Sequence, residues 1–460
     1  MKDRVKIVSL LNDSGFAGRK ITACGWVRTL RNAKANAFIA LNDGSCFASL
    51  QLFINKENFN DEAELNKVST GASLLVTGVL QESPAAGQSV ELAVERLKVL
   101  GEAPSDYPLQ KKATSMEFLR EIAHLRGRTN TFGAVMRVRN SLSYAIHQFF
   151  QSRGFQYIHT PIITSSDAEG AGEMFQVTTL PLDKLKGEVD YNKDFFGKKT
   201  NLTVSGQLAV EAYCMALGDV YTFGPTFRAE NSNTVRHLAE FWMIEPEMAF
   251  CDIAGNIAVA EAFLKHLITW LFKHDMEDMK FFDDRIKKGI IGELEKVAVS
   301  EFKVITYTEA VNMLNKSGRK FEFPVEWGLD LKSEHERYIT EEILKAPAIV
   351  TDYPKEIKSF YMKLNSDGRT VRGMDILTPG VGEIIGGSER EADYEVLRAR
   401  MRECGLNEAD YGWYLDLRKY GSAPHSGFGL GLERFIMYAT GIPNMRDTIP
   451  FPRAPRLCDF

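Results

Sequence analysis

Between Ile21 and about Leu100 the apolar residues fall in short alternating runs: ITACGWVRTL, AFIAL, ASLQLFI, SLLVTGVL and VELAVERLKVL, with turn segments at NDGS and SPAAGQ. A period of two puts one face of each run into a core and the other into solvent, so each run predicts a half-buried strand. Five such strands, with one helix near DEAELNKVS, predict a small closed barrel of the OB type over residues 1–102. A generic small β-domain fits the same alternation. GEAPSDYPLQKK then interrupts the pattern with Pro104 and Pro108, so residues 103–128 read as a linker.

The period changes beyond it. In NTFGAVMRVRNSLSYAIHQFFQSRG the residues Phe132, Val135, Met136, Leu142, Ile146, Phe149 and Phe150 recur at helical spacing and Gly154 offers a stop, which predicts a long amphipathic helix. FQYIHTP follows as an extended segment ending at Pro161. VYTFGPTFRAE and FWMIEPEMAF alternate like strands around the polar NSNTVRHLA and predict a hairpin with a long charged loop. Short turns between strands favour antiparallel pairing, so residues 129–460 read as an α+β domain built on an antiparallel sheet with flanking helices. Helical runs over about 252–350 read as an insertion into it.

Composition adds little to this and excludes more. Hydrophobic residues make up 44% of the 460 and charged residues 25%, the balance of a globular protein. No stretch of eighteen apolar residues is present, so no membrane partner is expected and the expected location is cytoplasmic. Six scattered cysteines without a CxxC pair point to reduced, buried thiols. A net charge of −5 does not mark a nucleic-acid binder, yet in residues 1–40 eight basic residues face only two acidic ones.

Four segments carry chemistry. In the hairpin, Arg228 and Glu230 share one face of the first arm, and Phe241, Met243, Glu245 and Glu247 one face of the second. Guanidinium, aromatic ring and carboxylate on one cleft suit a nucleotide, and an ion-paired surface hairpin suits them as well. HSGFGLGLERFIMYATG alternates Gly427, Gly429 and Gly431 with bulky residues, which predicts a strand with one bare face for a flat ligand and a helix presenting Arg434 beside it. The GxGxG spacing is wrong for a dinucleotide-binding loop. In GMDILTPGVGEIIGGSER, Asp375 and Glu383 flank a turn as an acidic pair suited to Mg²⁺, and Arg390 follows a Gly-Gly turn. In TVSGQLAVEAYCMALG, Ser205 is the expected N-cap and Gly218 the stop of a helix carrying Gln207 and Glu211 one turn apart.

The long helix with its Pro161 strand, the FRAE...RHLAEF hairpin and GLGLERF together resemble the three signature motifs of class II aminoacyl-tRNA synthetases. With the N-terminal barrel, the resemblance is to their aspartate, asparagine and lysine subgroup. SSDAEGAGEMF, DFFGKKTNLTVSGQL, FGPTFRAENSNTVRHLAEFW, VGEIIGGSER and PHSGFGLGLERF resemble its bacterial asparagine-specific members. The resemblance implies a homodimer that joins L-asparagine to tRNA(Asn) through an asparaginyl-adenylate, using ATP with Mg²⁺. It implies that Arg228 clamps the α-phosphate, that Phe241 and Arg434 sandwich the adenine over Gly431, and that Glu230 contacts the base region. Arg236 and His237 would reach the outer phosphates, and Asp375 and Glu383 would hold the metal. Gly386 stands where some relatives carry a serine that assists it. Glu169 and Gln207 would meet the α-amino group, and the glycine-rich EGAGEMF would be a loop that closes over the amino acid. Arg390 would meet the side-chain carbonyl oxygen, and Glu211 would accept from the side-chain amide and repel aspartate. In the barrel, Phe38 with Arg31 and Gln51 would bind the anticodon. An aspartyl-tRNA synthetase, of the discriminating or the non-discriminating kind, an asparagine synthetase on the same catalytic fold and a non-catalytic tRNA-binding paralogue are the alternatives. The missing lysine in QLAVEAY, the attached barrel and the joint presence of Arg228, Glu383 and Arg434 weigh against them in turn.

Overall fold

A computed structural model describes residues 3–84, 87–110, 114–168, 173–184, 187–232 and 234–460. Contacts divide the chain into two compact units, Met1–Arg137 and Val138–Phe460.

In the first unit, β1 (Lys20–Asn32), β2 (Asn36–Asn42), β3 (Leu50–Asn55), β4 (Ser73–Glu82) and β5 (Val90–Gly101) close a barrel in the order β1-β2-β3-β5-β4. Alternation decides what fills it: Ala37, Ile39, Leu41, Leu50, Leu52 and Ile54 are fully buried, while Phe38, Gln51 and Phe53 between them stay half-buried outside. The expected helix is a single turn, Glu62–Leu65, fastened to β5 where Asp61 accepts from the Leu97 N–H and Glu64 from the Val99 N–H. A helix at Ile7–Asn12 was not foreseen, because six residues are too few to show a period; it buries Ile7 and Leu10 in the barrel core. The expected linker carries short helices at Met116–Glu121, capped by Ser115 at the Phe118 N–H, and Ala123–Arg126.

The predicted amphipathic helix is Asn130–Gln151. Its apolar stripe is buried through Phe149 and Phe150, and Phe150 stacks on Tyr221 at 4.8 Å between ring centroids. Beyond it run β6 (Gln156–Tyr157), β7 (Ile163–Thr164), β8 (Gln176–Val177), β9 (Thr200–Leu202), β10 (Asp219–Phe227), β11 (Glu240–Ala249), β12 (Lys303–Thr306), β13 (Ala348–Pro354), β14 (Thr370–Thr378), β15 (Gly382–Glu389) and β16 (His425–Gly431). Eight of these form one sheet in the order β12-β13-β14-β15-β16-β11-β10-β6, antiparallel except at its two edges, and β7-β9-β8 form a small separate sheet. The segment at 252–350 is therefore more than a helical insertion. It supplies β12 and leads into β13, and its Ile253–His274 helix packs on β14, β15 and β16. Of the cysteines, Cys24, Cys46 and Cys214 are buried as expected; Cys251 is half-buried, and Cys404 and Cys458 lie exposed at a helix end and near the C-terminus.

Two local readings are corrected. Gly386 and Gly387 lie within β15, paired with Asp375 and Met374, and make no turn. The helix Gln207–Leu217 has Gly206 at its N-cap, because the Ser205 hydroxyl is committed to Glu245 while accepting from the Gln207 N–H at 3.1 Å; Gly218 ends the helix at φ 82° as expected.

β16 carries its glycines on one face, but they serve different neighbours. A methyl group at Gly427 would overlap the Glu247 carboxylate and the Pro246 carbonyl, so that glycine makes room for a side chain of β11. Gly429 and Gly431 border the cavities described below. Gly427→Ala should therefore cost stability by overpacking, about 1–3 kcal/mol, read as a lower thermal midpoint of the second unit; an unchanged midpoint would show that β11 and β16 are not packed this closely.

Candidate active site

The hairpin of β10 and β11 pairs Phe227 with Glu240, and the charged loop opens from that end. Arg228 and Glu230 lie just past β10, with Arg228 Nη1 4.0 Å from Glu230 Oε1 and its guanidinium carbon 5.4 Å from the centre of the Phe241 ring. Glu230 also stands 3.9 Å from His237 Nε2. Arg236 donates to the Val381 carbonyl at 3.4 Å, and burial near Arg337 and Arg434 holds its guanidinium below its usual range. Arg434 leaves the first turn of the Leu432–Thr440 helix and sits 3.9 Å from Glu383 Oε2. These residues and Gly431 line a cavity of about 230 Å³.

A second cavity of about 310 Å³ adjoins it, and the two share Arg228, Met243, Glu383 and Gly429. Gln207, Glu245, Lys358, Asp375 and Arg390 line the second. Asp375 on β14 and Glu383 on β15 come together over Gly386: a Cβ there would lie 3.0 Å from Glu383 Oε1 and 3.3 Å from Asp375 Oδ1. A β-bulge makes this possible, because Ile376 pairs with Ile385 but Leu377 pairs with Glu383, which turns Glu383 toward its partner acid. Lost solvation and the Asp375 charge push the Glu383 carboxyl up, and Lys358, 2.7 Å from Asp375 Oδ2, is raised by that acid against the effect of its burial. Two converging carboxylates over a bare α-carbon fit a small divalent cation that takes its remaining ligands from phosphate and water.

Behind the second cavity lies a buried charge network. Glu247 grips Arg390 with two bonds, Nε at 2.8 Å and Nη2 at 2.9 Å, while Arg390 Nη1 donates to Ser388 Oγ at 2.7 Å. Glu211 is wholly buried and accepts from Gln207 Nε2 at 3.1 Å, the Tyr414 hydroxyl at 2.8 Å, Arg418 Nη2 at 2.8 Å and His425 Nε2 at 3.0 Å. Burial opposes its charge, yet Arg418 and His425 hold its carboxyl well below the usual carboxylate range. Glu211, Glu247 and His425 bring ligand atoms within 4.8 Å of one another, but Arg390 and Arg418 already supply the positive charge that a metal would bring.

The residues expected to bind ATP, amino acid and metal are thus brought to one cleft, with two exceptions. Glu169 lies outside the described residues. Glu211 does not reach the cavity wall; four donors occupy its oxygens, so the expected direct contact with a ligand amide is replaced by a grip on Gln207. A carboxylate can only accept, so Gln207 must turn its NH₂ group to Glu211, which leaves its carbonyl oxygen for the cavity. Glu245, Glu247, Lys358, Tyr414 and Arg418 were missed. For the first two, alternation on β11 put them on the face of Phe241 without naming partners; the others come from segments with no local motif.

On the barrel, Arg31 and Phe38 are paired across β1 and β2, with the guanidinium carbon 4.4 Å from the ring centre. Phe53, not foreseen, lies 5.5 Å from Phe38 on the neighbouring strand. Gln51 shares that outer face and turns its amide to the Ile39 carbonyl.

Residues 115–455 match the family model for class II tRNA synthetases (D, K and N), and residues 21–100 match the model for the OB-fold nucleic acid binding domain. The chain is 59% identical to an asparagine–tRNA ligase of Treponema denticola, over 96% of this chain and 97% of that one. It is 56% identical to one of Mannheimia succiniciproducens, over 99% of each. Among solved structures, the asparaginyl-tRNA synthetase of Pyrococcus horikoshii complexed with asparaginyl-adenylate superimposes over 100% of both chains, with a TM-score of 0.87 and 33% identity.

Proposed function

Because the chain belongs to the class II aminoacyl-tRNA synthetases, among the asparagine–tRNA ligases, we infer that it activates L-asparagine with ATP and transfers it to tRNA(Asn). The observation that carries this, beyond membership, is the pair of adjoining cavities that share Arg228 and Glu383: one has the aromatic and basic lining of a nucleotide site, the other the polar lining of an amino-acid site.

In the first step an oxygen of the asparagine carboxylate attacks the α-phosphorus of ATP and pyrophosphate leaves. The attacking group is already an anion, so the chain supplies no nucleophile; it supplies alignment and charge. Phe241 and Arg434 stack on the two faces of the adenine, and bare Gly429 and Gly431 let it approach the strand. Glu230 contacts the base region, Arg228 holds the α-phosphate at the junction of the cavities, and Arg236 and His237 meet the outer phosphates. Asp375 and Glu383 would hold Mg²⁺, which when bound would supply positive charge near the phosphates. The carbonyl oxygen of Gln207, with Glu245 and Glu169, receives the α-ammonium group. Arg390, fixed by Glu247, offers its remaining N–H groups to the side-chain carbonyl oxygen. Among the described residues lining that cavity, Lys358 is committed to Asp375, Arg390 to Glu247 and Arg228 to phosphate, so none of them is left to neutralise an aspartate carboxylate.

In the second step a hydroxyl of the terminal adenosine of tRNA attacks the adenylate carbonyl and AMP leaves. Residues 1–102 read the anticodon on the outer face bearing Arg31, Phe38 and Gln51, with Phe53 beside them, where rings can stack on unpaired bases; residues 103–128 connect to the catalytic domain, 129–460. The protein acts in the cytoplasm. Among the described residues no helix is long and apolar enough to cross a membrane. The long helix resembles the family's dimer motif, and Tyr144 and Tyr157 are exposed on it and on β6, so a second copy of the chain is the expected occupant of that face.

ATP–pyrophosphate exchange tests the assignment. Exchange should depend on asparagine, with aspartate at least about a hundredfold poorer, and Arg228→Ala should lose about a thousandfold in rate; exchange with aspartate alone, or a wild-type rate in the variant, would overturn it. A chain lacking residues 1–102 should keep exchange and lose tRNA charging, and undiminished charging would remove the barrel from tRNA recognition. Light scattering should give a mass of about twice the chain's, and a monomer would refute the pairing face.

A further inference from the structure

The sequence pattern assigns no role to the middle of the segment at 252–350, yet that segment reaches the metal-binding acids. The helix Ser333–Tyr338 continues into a π turn, Ile339–Ile343, and lies against β14 and β15. From it two carboxylates point at the β14–β15 turn. Glu336 Oε2 accepts the backbone N–H of Glu383 at 3.1 Å, and Glu341 Oε1 accepts that of Gly380 at 2.8 Å. The Gly380 N–H lies in the turn between the two strands, and Glu383 lies beside the bulge, where the register shifts between the Ile376–Ile385 and Leu377–Glu383 pairs. Gly382, at φ 83°, lies so close that a Cβ would overlap Glu336. Turn and helix are therefore fitted to each other at the residue before Glu383.

We propose that Glu336 is a positioning residue for the divalent cation: by holding the Glu383 backbone N–H it fixes the bulge that aims the Glu383 carboxylate at Asp375. This rests on the reading of Asp375 and Glu383 as the metal-holding pair. A strand bulge left to itself can relax by a residue, and a one-residue slip in a strand reverses the direction of its side chains. The bond from Glu336 prevents that relaxation from a neighbouring element, as partners behind metal ligands do elsewhere. Glu341 steadies the tip of the same turn, and Arg236 reaches it from the charged loop through the Val381 carbonyl. The role asks for a hydrogen-bond acceptor at Glu336 and does not ask for a metal ligand.

The test uses the full-length protein with a non-hydrolysable ATP analogue and Mn²⁺ as probe, free Mn²⁺ being followed by electron paramagnetic resonance. Glu336→Ala should weaken Mn²⁺ binding by about 10- to 100-fold and raise by a similar factor the Mg²⁺ concentration that half-saturates exchange, with the KM for asparagine little changed. Glu336→Gln keeps an acceptor oxygen and should bind Mn²⁺ within about twofold of wild type. If Glu336→Ala folds poorly in a thermal melt, Glu336→Asp, whose shorter side chain withdraws the acceptor, should show the same weakening. Equal loss in the Gln and Ala variants would make Glu336 a ligand or a charge and overturn the proposal, as would unchanged Mn²⁺ affinity in the Ala or Asp variant. Asp375→Ala separates the two readings: if it leaves Mn²⁺ binding intact, the metal assignment itself fails.

Discussion

Burying charge is costly, and the catalytic unit is organised around charges that cannot be left unpaired. Glu211, Glu247, Arg390 and Arg418 lie almost without solvent in one network. Each is stable there only because its partner is close and correctly oriented, and removing one partner from such a pair costs on the order of 3–5 kcal/mol. The network ties β11 to the residue after β15, and the Gln207–Leu217 helix to Arg418 and to His425 at the start of β16. It therefore sets the orientation of the two side chains at its front, Arg390 and Gln207, before any ligand arrives. Specificity for a small polar amino acid requires such preorganised donors and acceptors, since a misplaced group would spend binding energy on rearrangement.

In front of that network the sheet provides a surface instead of side chains. Gly386 on β15 and Gly429 and Gly431 on β16 leave the cavity face of these strands bare, so ligand can lie against backbone, while Phe241, Arg228 and Arg434 rise around it. The same absence of side chains serves packing where Gly427 admits Glu247 and where Gly387 admits Phe428. Function and packing therefore draw on one strand pattern, and a single glycine can be required for either reason.

Much of this was legible before the fold was known. The period of two gave the barrel, and residues between its core positions, Phe38 and Gln51 among them, could be assigned to the outer face. Alternation likewise put Phe241, Met243, Glu245 and Glu247 on one side of β11. What periodicity could not give was the partner of each group, which lies far along the chain: Glu247 meets Arg390 and Glu211 meets Arg418 only through the sheet order and helix packing. That is why Glu211 was expected at the ligand and is found behind it. The Gly-Gly at 386–387 looked like a turn because glycine is common in turns; in β15 Gly386 leaves the space in which Asp375 and Glu383 converge, and Gly387 admits Phe428 on the other face. Short elements, such as Ile7–Asn12 and β12, carried too few residues to show a period at all.

The central claim is that one continuous cleft holds nucleotide and asparagine together across Arg228. A crystal structure with a non-hydrolysable sulfamoyl analogue of asparaginyl-adenylate tests it directly. The account predicts adenine between Phe241 and Arg434, the group replacing the phosphate on Arg228, and the asparagine side-chain oxygen on Arg390. An analogue whose amino-acid half lies outside the cavity of Gln207 and Arg390, or whose adenine leaves Phe241 uncovered, would contradict it.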